Sequence, residues 1–301
     1  MITFLLATLT MIAFAANSVI GRIAIGPDAG GAALIDPASY SCIRLMAGAA
    51  MLALLVGLRR PDDGYGDGHG NGHGRGLSPL KANGNWLSAA ALTGYAVFFS
   101  FSYVAINAGM GALILFASVQ ATMIGRALHQ GDRPGALEWL GLVTAFGAFA
   151  WLVSPGLSAP DPLAALLMAV AGICWGAYTL RGRGVADPLA ATAGNFLRSV
   201  PMGLVALLPF LAVLDASVPG VLLACLSGAV TSGLGYALWY RVLRAFSATQ
   251  AAILQLTVPV IAGAGGTLTL GEEWSLRFIL ASALILGGVA IAILSKARRT
   301  G

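Results

Sequence analysis

Hydrogen-bonding and aromatic side chains that stand inside long apolar runs are the residues of this sequence best suited to chemistry. They are Asn17, Tyr95, Phe99, Ser118, Gln120, Trp175, Tyr178, Ser232, Gln255 and Thr257. Polar groups are costly inside a bilayer, and they usually face a cavity or another helix there. Large rings combined with a few polar groups are typical of a site for a small molecule. The pattern therefore predicts a central cavity that Tyr95, Phe99, Trp175 and Tyr178 enclose.

Each of these residues also has a purely structural interpretation. Ser118, Ser232 and Thr257 can form hydrogen bonds with the backbone of their own helices. Asn17 and Gln255 cannot do so as easily, and they can bridge neighbouring helices instead of contacting a ligand. The large rings can be ordinary packing. The sequence leaves both interpretations open.

Two arginines, Arg44 and Arg198, also fall near the middle of apolar spans. An unpaired arginine at the centre of a membrane helix costs about 2.5 to 3.5 kcal/mol, so each needs an acceptor. No Asp or Glu lies at that depth in the sequence, which leaves the C-terminal carbonyl groups of helices, water or the carboxylate of a bound molecule. The equivalent placement of the two residues favours a structural role, and a role in ligand binding stays open.

The apolar spans lack the groups that most catalytic and cofactor sites need. The two lysines, the three histidines and the acidic residues lie in loops or near span ends, and the three cysteines share no spacing suited to a metal. A proton relay through a central carboxylate and a Ser/Lys catalytic dyad are therefore excluded. We expect neither an enzyme nor a bound metal or cofactor.

Composition identifies the class of protein. Hydrophobic residues make up 58% of the 301-residue chain, charged residues only 10%, and the mean hydropathy is +0.84. Soluble domains carry about 25% charged residues, so the sequence predicts an all-α, polytopic membrane protein. A span needs about 20 apolar residues. Ten such spans are predicted at residues 3–24, 37–58, 85–106, 109–129, 135–154, 162–181, 188–212, 218–240, 247–270 and 274–295. Because the connections are short, we expect successive helices to be antiparallel neighbours.

The long connection at Pro61–Gly84 is rich in glycine and charge, which predicts a flexible loop. His69 and His73 lie in it without a carboxylate or thiol cluster to complete a metal site. With the N-terminus inside, cytoplasmic segments hold thirteen lysines and arginines, and external segments hold only Arg22 and Arg277. This positive-inside bias predicts that both termini are cytoplasmic. It also explains the net charge of +5 without nucleic-acid binding.

The ten spans are predicted to form two repeats of five, residues 1–154 and 155–301. Gly111–Ala121 aligns with Gln250–Val260 without a gap, and Arg44 aligns with Arg198. Because each repeat has an odd number of spans, the second copy must enter the membrane from the opposite side. The two halves are then inverted repeats around a central site.

Proline and glycine residues add local expectations. Pro259 removes a backbone hydrogen bond inside the ninth span and should kink it, either as a gate or as a fixed bend. The glycines of the Gly141 to Gly147 stretch and the pair Gly287-Gly288 should let helices approach closely, within the protein or at a dimer contact.

The chain resembles the drug/metabolite transporter superfamily, in the ten-helix subgroup built from two EamA-type domains. The resemblance rests on the two five-span units, on LTVPV and LGEE around the end of the ninth span, on Trp175-Gly176, and on the paired arginines. Within that superfamily the chain is similar to the YddG-type exporters of aromatic amino acids. The resemblance implies a cavity lined by the first, third, fourth, sixth, eighth and ninth spans, opening alternately to either side.

The resemblance implies a secondary transporter that exports aromatic and other neutral amino acids, and related metabolites, across a bacterial inner membrane. Asn17, Ser118 and Gln255 would bind the amino and carboxylate groups of the substrate, and the rings would enclose its side chain. Arg44, Arg198, Gln120 and Ser232 would contact the substrate or support the site. With no central carboxylate, we expect gradient-driven transport by a monomer or homodimer in the lipid bilayer. The alternatives are a broader, possibly proton-coupled drug or metabolite exporter, and an always-open pore.

Overall fold

The computed structural model of the protein describes residues 2–27, 31–58, 83–131, 133–156, 159–182, 185–243, 246 and 254–300. These residues are helical apart from short connections and one isolated bridge between Ile35 and Ala216. The helices are α1 (Ile2–Ile25), α2 (Pro37–Gly57), α3 (Trp86–Ser102), α4 (Ala108–His129), α5 (Ala136–Val153), α6 (Pro162–Gly182), α7 (Pro188–Leu207), α8 in the three segments Val218–Leu226, Ser227–Leu234 and Gly235–Leu243, α9 (Val258–Leu270) and α10 (Leu276–Thr300). A 3₁₀ turn, Leu208–Val213, extends α7.

The predicted all-helical membrane protein is confirmed by the length and composition of these helices. Eight helical stretches of the described chain are long and apolar enough to cross a bilayer. The other two, α3 and α9, are apolar helices of 17 and 13 residues. The first residues of the predicted ninth span, 247–253, lie outside the described residues, as do His69, His73 and the rest of segment 59–82.

Alternate helices run in the same direction, as the short connections predict. Arg22 in the last turn of α1 donates to the carbonyl oxygen of Tyr103, which directly follows α3, at 2.9 Å. At the opposite end, Arg181 in the last turn of α6 donates to Oδ1 of Asn85, the N-cap of α3, at 3.0 Å. Hence α3 is parallel to α1 and antiparallel to α6.

The expectation that successive helices are also packing neighbours is wrong. The most extensive contacts join α5 with α10, α6 with α3 and α4, and α2 with α7 and α8. A short connection only brings the ends of two helices together, whereas the helix faces pack where small side chains allow close approach. The core is therefore built from helices that are distant in sequence.

The contact between α5 and α10 shows how glycine sets this packing. A Cβ atom added to Gly141 would lie closer than 3.0 Å to the carbonyl oxygen of Gly288, and one on Gly288 would meet the Gly141 carbonyl in the same way. The predicted close approach is confirmed for these two glycines. Among the described residues, Gly147 and Gly287 have nothing within 4 Å of such an atom, so the prediction does not hold for them within the protein, and a dimer contact stays a prediction.

Pro259 starts a helix instead of kinking one. Helix α9 begins at Val258, and Pro259 stands in its first turn, where a backbone N–H would have no intrahelical partner. Leu254 and Gln255 are helical, and a turn at Leu256 and Thr257 separates them from α9. The helical run is therefore broken just before the proline.

Candidate functional site

The side chain of Asn17 joins three helices. Its Nδ2 donates to the hydroxyl of Tyr95 in α3 at 3.2 Å. Its Oδ1 accepts from the hydroxyls of Ser227 at 2.7 Å and Thr231 at 3.0 Å, both in α8. All four residues are buried. Of the two roles open to Asn17 from the sequence, the structure shows the bridge between helices directly.

Arg44 reaches the same cluster from α2. It is 2% exposed, and its Nη2 donates to the Tyr95 hydroxyl at 2.9 Å. Nε and Nη2 lie 3.4 and 3.3 Å from Oγ of Ser232. Its Cζ lies 4.9 Å from the ring centre of Tyr95 and 4.8 Å from that of Phe99, within the range of cation–π attraction. The buried Nη1 has no hydrogen-bond partner among the described residues.

Aromatic rings gather around Trp175 beside this polar cluster. The ring centre of Trp175 lies 5.0 Å from those of Tyr95 and Tyr236. Tyr178, one turn along α6, stacks on Trp175 at 5.5 Å with 26° between the ring planes. Phe14 of α1 closes the group at 5.9 Å from Tyr236. These spacings are those of favourable aromatic pairs.

A small cavity of about 20 Å³ lies between the polar cluster and the rings. Asn17, Arg44, Tyr95, Trp175 and Ser232 all line it. Each of them stands at least seven residues, about 10 Å of helix, from the nearest end of its helix. The space is about that of one water molecule. The site is thus central, and in this conformation it has room only for about one water molecule.

The middle segment of α8 is a π-helix, and it supplies the hydroxyl groups of the site. Ser227–Leu234, with the sequence SGAVTSGL, turns Ser227 and Thr231 to Asn17 and Ser232 to Arg44. A Cβ on Gly228 would lie closer than 3.0 Å to the carbonyl oxygen of Arg44, so this glycine lets α8 approach α2. Wide helical turns of this kind are frequent at functional sites.

Sequence reasoning found Ser232 and missed three other members of the site. Ser227, Thr231 and Tyr236 contribute two hydrogen bonds to Asn17 and a ring beside Trp175. The available signal was the run of glycine and hydroxyl residues in an otherwise apolar span. Small hydroxyl residues in membrane helices are commonly involved in contacts between helices.

Apart from Arg198, four predicted polar residues do not line the central cavity: Ser118, Gln120, Gln255 and Thr257. Ser118 is buried where α4 crosses α6, and its Cβ would meet a side chain placed on Gly172. Gln120 is buried in α4, and Gln255 is half-buried before the break that precedes α9. Ser118 and Gln120 stand on α4, which contributes Leu115 and Phe116 to the cavity wall, and Gln255 precedes α9.

The two arginines, expected to be equivalent, have different surroundings. Nη1 of Arg198 donates to the carbonyl oxygens of Asn83 at 2.7 Å and Gly194 at 2.9 Å. Asn83 precedes α3, so this guanidinium group reaches towards the end of the bundle. Arg198 is therefore held by backbone carbonyl oxygens, although neither is the C-terminal helix carbonyl that the sequence predicts, whereas Arg44 is held by hydroxyl groups and rings.

A second cavity, of about 260 Å³, lies where the α3–α4, α5–α6 and α9–α10 connections meet. Glu272 lines it and forms an ion pair with Arg22, with Nε and Oε1 3.3 Å apart. The carboxylate also accepts from the backbone N–H of Ala108 at 2.9 Å. Burial raises the pKa of Glu272, although that N–H and the charge of Arg22 act in the opposite direction. This interaction links three elements at one end of the bundle.

No group of three or more His, Cys, Asp or Glu side chains is arranged to hold a metal ion in the described ranges. The residues that line the central cavity include no carboxylate, histidine or lysine. The chemistry available there is hydrogen-bond donation, positive charge and contact with aromatic faces. Such an arrangement can bind a small molecule and offers no base or nucleophile pair.

Comparison with known proteins agrees with the fold and with this kind of site. Residues 162–294 match the EamA-like transporter family. An uncharacterized protein of Pseudomonas aeruginosa, PA1977, is 44% identical over 302 residues, which cover 99% of this chain and 98% of the relative. An uncharacterized transporter of Archaeoglobus fulgidus is 25% identical over 206 residues, or 66% of this chain and 72% of its own. One crystal structure superposes with a TM-score of 0.64 over 98% of both chains at 17% identity, a likeness of fold alone.

The chain therefore belongs to the EamA-like transporter family of the drug/metabolite transporter superfamily, as the sequence resemblance indicated. It is a multi-pass membrane protein of a family that transports small metabolites. Membership of this family points to a transporter and away from an enzyme.

Proposed function

We propose that the protein is a secondary transporter that exports aromatic and other neutral amino acids, and related small metabolites, by alternating access. The observation that carries the proposal is the position of the ring cluster around Trp175. It lies at the centre of the helices, directly beside the buried polar groups of Asn17 and Arg44. An aromatic amino acid combines the same two kinds of surface in one molecule.

In this proposal the rings enclose the side chain of the substrate. Tyr95, Phe99, Trp175 and Tyr178 form a connected series, with neighbouring ring centres between 5.0 and 5.5 Å apart. Asn17 contributes the amide hydrogen that its bond to Tyr95 leaves over. Ser118, Gln120 and Gln255 would reach the substrate only after α4 and α9 move towards the cavity, and Arg198 then acts as a support at the end of the bundle.

The small volume of the central cavity is the reason to propose alternating access instead of an open pore. A volume of about 20 Å³ cannot hold a phenylalanine side chain, so substrate entry requires the rings to separate. The break at Leu256 and Thr257 before Pro259 offers a point about which α9 can move. Short breaks at the ends of helices are typical hinge positions. We assign the gating role of Pro259 to this break.

The same proposal includes two inverted repeats, residues 1–154 and 155–301, with both termini in the cytoplasm of a bacterial cell and the helices in its inner membrane. The pairing of helices supports the repeat. Exchanging each helix with the one five positions later turns the α3–α6 contact into α8–α1, α4–α6 into α9–α1, and α2–α8 into α7–α3, and all six pairs occur. The family match at residues 162–294 falls within the second proposed repeat.

Transport is proposed to follow the gradient of the substrate without a coupled proton. The residues that line the central cavity include no Asp, Glu, His or Lys, the side chains that take up and release protons in proton-coupled transport. Coupling through the site would need such a group. Flux that required an imposed pH gradient would contradict this part of the proposal.

The test is flux of labelled phenylalanine into proteoliposomes without ion gradients, for the wild type, Trp175→Ala and Trp86→Ala. Trp86 is 58% exposed at the start of α3 and serves as the matched control. We expect saturable flux in the wild type and in the control. Loss of the ring contacts in Trp175→Ala should raise KM at least about tenfold, since each aromatic pair contributes about 0.5–1.5 kcal/mol.

The same vesicles are tested with threonine and with a cationic dye. Saturable threonine flux supports the extension to other neutral amino acids. If the dye moves and phenylalanine does not, the protein is a broader drug exporter and the amino-acid assignment is wrong. Flux that does not saturate would indicate a pore.

A further inference from the structure

The polar wall of the central cavity consists mainly of hydrogen-bond donors. Arg44 is almost fully buried, and its Nη1, which carries two hydrogens, has no partner among the described residues. The other two nitrogens of the guanidinium donate to Tyr95 and Ser232. A buried donor without a partner is costly. This side chain is therefore incomplete until an acceptor enters the cavity.

The two hydroxyl groups next to Arg44 are also left as donors. The Tyr95 oxygen accepts from Arg44 and from Asn17, and the Ser232 oxygen accepts twice from Arg44. Because these oxygens act as acceptors towards the arginine, their own hydrogens point away from it. The guanidinium and both hydroxyls can thus donate to one molecule in the cavity.

Strong acceptors, namely carbonyl and carboxylate oxygens, are in contrast already in use or absent among the side chains that line the cavity. Oδ1 of Asn17 is the carbonyl group of the cavity wall, and Ser227 and Thr231 both donate to it. No carboxylate lines the cavity. A substrate ammonium group would find no free strong acceptor there.

The aromatic faces do not make up for this lack. An ammonium group can bind over a ring, but the guanidinium of Arg44 already lies over Tyr95 and Phe99 at 4.9 and 4.8 Å. A second cation beside it would also be repelled, and this repulsion is strong at low dielectric. A carboxylate would instead neutralise the buried charge through charge-assisted hydrogen bonds.

We infer that the cavity selects its substrates by their carboxylate and not by their amino group. The unpartnered Nη1 of Arg44, with the hydroxyls of Tyr95 and Ser232, forms the carboxylate subsite, and the rings around Trp175 hold an aryl group beside it. The substrate class therefore includes arylalkyl carboxylates that lack an amino group, and it excludes arylalkylamines. This inference rests on the proposed function, because it takes the central cavity as the substrate site.

The test compares three probes that share one aromatic ring, measured by calorimetric binding to the purified full-length protein in detergent. Phenylalanine carries both charged groups, 3-phenylpropionate only the carboxylate, and phenethylamine only the ammonium. We expect the first two to bind within about tenfold of each other. Phenethylamine should bind at least about thirtyfold more weakly, since it leaves the charged donors of Arg44 unpaired.

Variants test whether Arg44 causes the difference in affinity between the acid and the amine. Arg44→Gln should weaken 3-phenylpropionate at least about tenfold and reduce the difference between the acid and the amine. Arg181→Gln, an arginine at the end of α6 that donates to Asn85 and Ser88, is the matched control and should keep the order of the probes. If Arg44→Gln does not fold, the wild-type comparison still decides between acid and amine.

The outcomes separate the two proposals. If phenylalanine and phenethylamine bind equally well and 3-phenylpropionate does not bind, the carboxylate subsite is wrong and the amino-acid transporter stands. The same conclusion follows if all three probes bind with similar affinity. If none of them binds, both proposals fail.

Discussion

Replacing Asn17 with leucine, a side chain of similar size, should destabilise the bundle by about 2 kcal/mol. The substitution removes one hydrogen bond to Tyr95 in α3 and two from Ser227 and Thr231 in α8. Hydrogen bonds between membrane helices contribute about 0.6 kcal/mol each on average, so three of them account for this value. Thr231 keeps its second bond, to the Ser227 carbonyl oxygen at 2.7 Å, which limits the loss.

The measurement is the free energy of unfolding in mixed micelles with increasing denaturing detergent, followed by near-UV circular dichroism. Thr10→Val is the matched control on the same helix. Thr10 is fully buried, and within the described part of the chain its hydroxyl donates only to the Leu6 carbonyl oxygen of α1 itself, at 2.8 Å. Removing this bond separates no helices, and we expect a change below about 0.5 kcal/mol.

The comparison between the two variants decides whether Asn17 holds the helices together. If Asn17→Leu and Thr10→Val unfold at the same detergent fraction, the three hydrogen bonds contribute nothing net and the bridging role is wrong. A loss much greater than about 5 kcal/mol would also contradict the reasoning, because interhelical hydrogen bonds do not reach that sum. The predicted loss in free energy of unfolding for Asn17→Leu therefore has both a lower and an upper limit.

Two further predictions concern helix packing and pH. Gly228→Ala should cost about 1–3 kcal/mol in the same unfolding assay, because the new Cβ would overlap the Arg44 carbonyl oxygen; Gly287→Ala, with open space around it, should be neutral. Burial raises the folded-state pKa of Glu272 above its ordinary 4.5. The stability that the protonated Glu272 side chain contributes is therefore fully present below pH 4.5, and it is lost as pH rises through the raised folded-state pKa. Glu272→Gln should remove this fall, so that the unfolding midpoint changes less as pH rises above 4.5. An unchanged pH profile in this variant, or equal stability of the two glycine variants, would refute the respective prediction.

The sequence contained most of what was needed to predict the architecture and part of the site. The lipid core demands long apolar runs and internal hydrogen bonding, so hydropathy alone indicates helices and their approximate bounds. The same constraint makes every buried polar residue conspicuous, which is why Asn17, Tyr95 and Arg44 could be singled out as candidates inside apolar spans. Trp175 stood out because its large ring lies among small residues. These inferences depend only on local composition and on depth.

The geometry between helices could not be predicted in the same way. Proline was expected to bend a continuous helix, but the chain breaks before Pro259 and the residue sits where its missing N–H has no cost. Arg44 and Arg198 occupy similar positions along their helices, yet one meets hydroxyls and rings and the other meets carbonyl oxygens. Position along a helix specifies depth, whereas the partner depends on which helix lies opposite.

By itself, the sequence determined a helical, polytopic membrane protein of the EamA-like family and the set of polar and aromatic residues near its centre. Only the tertiary structure decided which of these residues meet. The π-helical turn of α8 and the contact of Gly228 with Arg44 bring four helices together at Tyr95. Contacts of this kind join residues more than fifty positions apart and depend on close fits between small side chains. The burial of each residue therefore follows from local sequence, and its partner follows from how the helices pack.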